Sequence, residues 1–126
     1  MMKEYVCDLE LAKELFKRGI VSDAYHWHSE VGVIQANVFT IEFKNDSLVY
    51  PAPIAEELLE IMPERIYVKI DNKKIEYVLY ESKISCWYIN FEYSLTIKAF
   101  TDEKLSNALA KMLIWLDDNG HLKDKL

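Results

Sequence analysis

RIYVKIDNKKIEYVLY, residues 65–80, carries the clearest structural signal in the chain. Two runs rich in β-branched and aromatic residues, RIYVKI and IEYVLY, flank the turn-forming DNKK. Two such runs around a turn predict a β-hairpin. From Arg65 to Lys74 the four basic residues Arg65, Lys69, Lys73 and Lys74 stand against Asp71 alone, a pattern that keeps a hairpin soluble more often than it grips a nucleic-acid backbone.

Strand material continues downstream. From Ser85 to Ala99 the odd positions are Ser, Trp, Ile, Phe, Tyr, Leu, Ile and Ala, and the even ones are mostly polar. A single strand of that length would far exceed the usual five or six residues, so a bend, bulge or turn is expected near Asn90–Ser94. On this alternation Trp87, Phe91 and Tyr93 belong to the core, and Tyr88 points outward with Asn90 and Glu92. Tyr88, with Tyr80, is then a candidate binding surface, because tyrosines offer area and a hydroxyl at low entropy cost.

Upstream, AYHWHS and NVFTIEF read as strands joined through EVGVIQA, with a turn at Asn45–Ser47. Helical periodicity marks three further stretches. In CDLELAKELFKRGI, Leu11, Ala12, Leu15 and Phe16 recur on one face, Asp8 suits the cap, Glu14 and Arg18 pair, and Gly19 closes the last turn. Around residues 53–62, Pro53 suits a first helical position and Ile54, Leu58, Ile61 and Met62 form a stripe that Pro63 ends. In TDEKLSNALAKMLIWLDDNG, Thr101 is the expected cap, Leu105, Ala108, Leu109, Met112, Leu113 and Leu116 share a face, and Asn119–Gly120 is the stop. Trp115 lies at the edge of that face, and Ile114 points away beside Ala110, which makes both candidate contact residues for a partner or a second layer. Helices at the start, middle and end with antiparallel strands between predict a single α+β domain over 1–126, its three helices mainly on one face of an antiparallel sheet.

YPAPIAEELLEIMPERI (50–66), LSNALAKMLIWLDDNG (105–120) and the opening CDLELAKELFKRG together resemble a family of small uncharacterised proteins encoded by phages, prophages and related mobile elements of Bacteroidales-type bacteria. The resemblance covers nearly the whole chain. It implies a mobile-element origin and a compact α+β fold, and it supplies no activity, cofactor or catalytic residue.

The chain has 126 residues, 51% hydrophobic, with only 3 Gly and 3 Pro, enough to bury roughly two-thirds of the unfolded surface without staples. Its net charge of -6 disfavours nucleic acid and anionic membrane as partners, since both are bound through clustered cations. The start lacks the pattern of a secretion signal and no apolar run reaches about 18 residues, so a cytoplasmic location without a membrane partner is expected. Cys7 and Cys86 are too few and too far apart for a disulfide framework and read as packed, reduced thiols.

Candidate chemistry is sparse. In AYHWHSE (24–30) a strand would put His26, His28 and Glu30 on one face, three corners of a possible zinc or iron site. The spacing resembles the cupin HxH only loosely, and an exposed polar strand face with Trp27 buried behind it is the plainer reading. Ser29 lacks a GxSxG setting, and Gly19, Gly32 and Gly120 are isolated, so neither a catalytic serine nor a phosphate loop is supported. Glu56, Glu57, Glu60 and Glu64 read as a solvated helix face, too sparse for a DNA mimic. The expected function is a non-enzymatic interaction module, binding a protein partner or itself, with no cofactor; the alternative is a small metal-dependent enzyme built on His26, His28 and Glu30.

Overall fold

The computed structural model describes residues 4–29, 32–35 and 50–122. The elements run α1 (Leu9–Lys17), β1 (His26–Ser29), β2 (Gly32–Gln35), β3 (Tyr50–Pro51), α2 (Ala55–Ile61), β4 (Arg65–Ile70), β5 (Lys73–Glu81), β6 (Ser85–Asn90), β7 (Leu95–Thr101) and α3 (Leu105–Asp118). The class is α+β, as the periodicity predicts, but the strands form two antiparallel sheets rather than one, a three-stranded β2-β1-β3 and a four-stranded meander β4-β5-β6-β7. The division falls at β3, where Pro51 has no amide to donate and the chain turns away through Pro53 into α2. The expected strand NVFTIEF and the turn at Asn45–Ser47 lie outside the described residues.

The hairpin is present, with a tighter turn than DNKK. Asp71 and Asn72 both take positive φ, 51° and 65°, the pair of left-handed residues that a two-residue connection needs, and Lys73 is already in β5. Between β6 and β7 the expected break is found at 91–94: Asn90 Oδ1 accepts from the Tyr93 amide at 2.7 Å, and Ser94 has φ 53°.

Helices α1 and α3 stop by the same device. Gly19 (φ 74°) and Gly120 (φ 76°) follow the C-caps Arg18 and Asn119, and the next amides, of Ile20 and His121, reach back to the carbonyls of Leu15 and Leu116 at 3.0 and 2.8 Å. These are Schellman closures, and Ile20 tucks into the core beside Leu15. The starts differ from expectation. Thr101 is the last residue of β7, bonded to Ser85 Oγ at 2.8 Å; the first turn of α3 is held by Asp102, whose Oδ1 accepts the Lys104 amide at 3.0 Å. Asp8 likewise does not cap α1 with its side chain, which binds Lys104 and Asn107 instead.

Helix α3 is central. It packs on β6 and β7 and is flanked by α1 and α2, so Ala108, Leu109, Ala110, Met112, Leu113 and Leu116 are all fully buried. Leu15, Leu58, Met62, Ile66, Tyr77, Cys86 and Tyr88 complete the core around it. Full burial of one such leucine is worth about 1.5–3 kcal/mol, so this single helix holds much of the fold together.

The alternation of β6 is the reverse of that expected. Cys86 and Tyr88 are fully buried and Asn90 nearly so, while Trp87 and Ile89 are half-buried and Phe91 is 61% exposed. The reason is close approach by α3: small Cys86 lets the helix come near enough for its Sγ to reach the Ala108 carbonyl at 3.4 Å. The inward polar groups are all satisfied. Tyr88 donates to the Pro63 carbonyl at 2.6 Å and Asn90 Nδ2 to the Glu76 carbonyl at 2.8 Å. A register shift opposite Tyr88/Ile89, with Tyr88 facing Lys98 and Ile89 facing Thr96, leaves Ile97 as an extra residue in β7. That extra residue lets both Ile97 and Phe100 pack on the core and breaks the simple odd-even rule.

Candidate functional site

The outward face of the four-stranded sheet follows directly from its register. Arg65 is opposite Val78, Tyr67 opposite Glu76, Lys69 opposite Lys74, Val78 opposite Ile89 and Tyr80 opposite Trp87, and directly paired residues point to the same side. This side therefore carries Tyr67, Tyr80, Trp87 and Ile89, with Phe91 continuing beyond β6. No described helix or strand packs across it, and Tyr67, Tyr80 and Phe91 are 46%, 42% and 61% exposed.

The rings associate with one another. Tyr80 stacks on Trp87 with centroids 6.3 Å apart and meets Phe91 edge to face at 5.3 Å. Beside them, Lys74 Nζ lies 4.5 Å from the centre of the Tyr67 ring, whose hydroxyl donates to Glu76 Oε2 at 3.1 Å. Arg65 reaches the same carboxylate at 3.4 Å. A shallow cavity of about 270 Å³ opens here, lined by Lys74, Glu76, Val78, Ile89 and Phe91 among others. Among the described residues the strands of this face present three cations, Arg65, Lys69 and Lys74, against one carboxylate, Glu76, while Glu92 in the turn after β6 lines the same cavity and the whole chain carries -6.

The four residues singled out from sequence as a binding surface do not come together. Tyr80 is on the outward face. Tyr88 is on the opposite one, fully buried, because the strand parity is inverted, and burial pushes its phenol up from the ordinary value. Ile114 and Trp115 are half-buried and packed against the core, since α1 and α2 flank α3 and take up the side that a lone helix would expose. Trp115 also lies 5.7 Å from the ring of His121.

The histidines of β1 are built into the small sheet. His28 Nε2 hydrogen-bonds the Cys7 carbonyl at 2.7 Å, tying β1 to the segment ahead of α1. His26 Nδ1 is buried with no hydrogen-bond partner among the described residues, and its carbonyl accepts the Ala52 amide at 2.7 Å. Trp27 is buried as expected, donating to the Ala24 carbonyl at 3.1 Å, whereas Tyr25 is exposed. Glu30 lies outside the described residues, and among the described residues no group of three or more His, Cys, Asp or Glu is placed to hold a metal ion.

Neither thiol is poised for chemistry: burial pushes both Cys7 and Cys86 up to about 12, so each stays protonated at neutral pH. Both are free. Among the described residues no helix is long and apolar enough to cross a membrane. Sequence reasoning missed Tyr67, Trp87 and Phe91 as surface residues. The usable signal was Tyr80: with Tyr80 outward, the short connection Ser82–Ile84 brings Trp87 opposite it and therefore outward too. Comparisons with protein-family models, curated proteins and solved structures give no match, so the functional reading rests on this chain's own residues.

Proposed function

We propose that the protein is a non-enzymatic interaction module, an accessory protein of a phage or prophage acting in the host cytoplasm, which holds another protein against the outward face of its four-stranded sheet. One observation supports this reading above all. Tyr80, Trp87 and Phe91 form a continuous aromatic run on a sheet face that no described element covers. Apolar surface left in water forgoes about 25 cal/mol per Å² on burial, and aromatic side chains are the residues that most often anchor protein interfaces. The last helix offers less, because its apolar residues are already engaged within the chain.

Site-specific photo-crosslinking tests the reading. A photoreactive phenylalanine analogue at position 91 is expected to capture a defined partner in host cells, and capture should fall when Tyr80 or Trp87 is replaced by Ala. The same analogue at Phe16, which is 43% exposed on α1, is the control site. Equal capture from positions 16 and 91, insensitive to Tyr80→Ala and Trp87→Ala, would remove the sheet face from consideration.

A further inference from the structure

Resting on that reading, we infer that the segment seated on the outward face is an acidic, apolar stretch of a different protein, its apolar side chains on Tyr80, Trp87 and Phe91 and its carboxylates toward Arg65, Lys69 and Lys74. Charge complementarity carries the assignment. Arg65, Lys69 and Lys74 are all exposed and fall on the β4–β5 side of the aromatic run; Glu76, the carboxylate among them, is shared between Arg65 and Tyr67, and Glu92 stands apart in the turn after β6. The face is thus an apolar strip with a cationic margin on a molecule that is otherwise acidic. A partner laid across the strip brings its flanking charges beside that margin, where opposite charge raises the rate of encounter and fixes orientation.

The same observations disfavour the other occupants. Two copies packed face to face would bring six cations together against four carboxylates, Glu76 and Glu92 of each, with Ser85, Thr96, Ala99 and Thr101 on the β6–β7 side uncharged. A single-stranded nucleic acid needs ring faces free for base stacking. Here Tyr80 is stacked on Trp87 and meets Phe91 edge to face, and Lys74 sits over Tyr67.

The test is a selection from a random-peptide display library against the full chain, with an Arg65→Glu, Lys69→Glu, Lys74→Glu variant selected in parallel. The wild type is expected to enrich peptides that combine Leu, Phe or Trp with an excess of Asp and Glu. The variant, changed only at exposed positions, should bind those peptides at least about tenfold more weakly and enrich Lys- and Arg-containing ones instead. Enrichment of neutral or basic peptides by the wild type would overturn the inference. If such peptides still lost binding on Tyr80→Ala and Trp87→Ala, the docking face would stand and only its charge assignment would fail; if they did not, the face itself would fail. Displacement of the selected peptides by oligothymidylate, or a concentration-dependent doubling of mass by light scattering that Trp87→Ala abolishes, would overturn the inference in favour of nucleic acid or of a second copy.

Discussion

The two faces of the four-stranded sheet are made from the same strands, yet their compositions run against simple hydrophobicity. Strand β6 turns Cys86, Tyr88 and Asn90 inward and Trp87 and Ile89 outward, so the more polar set is the buried one. What separates them is fit and satisfaction. The inward residues meet a closely packed helix, and each inward polar group reaches a backbone partner: Tyr88 at Pro63, Asn90 at Glu76 and Tyr93, Cys86 at Ala108. A buried polar group costs little once its hydrogen bond is made, and a large one then fills space as well as a hydrocarbon. Among the described residues no layer covers the outward rings, which reduce their wetted area by packing on one another.

The largest effect expected from breaking this difference is on the inner face. Tyr88→Ala removes a fully buried ring and should cost about 3–5 kcal/mol in denaturant unfolding. Tyr88→Phe keeps the ring, leaves the Pro63 carbonyl without its donor, and should cost about 1–2 kcal/mol. If Tyr88→Ala were as mild as a surface change, the inward assignment of β6 would be wrong.

Much of the fold is legible in residues 8–20 and 65–120 because local rules suffice there. Asp71–Asn72 turns the hairpin, the glycines at 19 and 120 end helices, and the stripes of α1 and α3 face the core. Register was harder to read. Nothing in SCWYIN announces that a cysteine marks the side where a helix comes close, and the extra Ile97 alters the parity of β7 midway. Half of the candidate site followed the same fate: Tyr80 could be placed from its hairpin, while Trp87 and Phe91 depended on the β5–β6 register. The burial of Ile114 was equally illegible, since it depends on α1 and α2 packing beside α3, contacts between segments about a hundred and about fifty positions apart in sequence.

A smaller effect sharpens how the inner face is kept closed. Asn107 is nearly buried; its Oδ1 accepts the Asp8 amide at 2.8 Å and its Nδ2 donates to Asp8 Oδ2 and Asp102 Oδ1 at 3.0 and 3.2 Å. These bonds pin the start of α3 to the start of α1. Asn107→Ala should cost about 1–3 kcal/mol. Both carboxyls lie below the ordinary value of 3.8: Asp8 because Lys104 and Asn107 donate to it, Asp102 because burial, which raises it, is outweighed by the Lys104 amide, Lys111 and Asn107. Folded values below unfolded ones mean that this stability is whole above pH about 4 and is lost as pH falls through the folded values. Asn107→Ala should therefore lose less stability than the wild type on acidification between pH about 4 and 2, measured by urea midpoints; an identical acid limb in both proteins would show that the network does not titrate with folding.

The smallest effect on stability belongs to the outward face. Phe91 is 61% exposed and meets Tyr80 edge to face at the surface, so Phe91→Ser should shift unfolding by no more than about 0.5 kcal/mol. Tyr67→Ser should behave similarly, because its hydroxyl bond to Glu76 and its contact with Lys74 are both exposed. Stability that survives these changes while partner capture is lost would place the two faces in different roles, one holding the chain folded and the other facing outward for contact. A cost above about 2 kcal/mol for Phe91→Ser would mean that the outward rings are a second core, and the contrast between the faces would collapse.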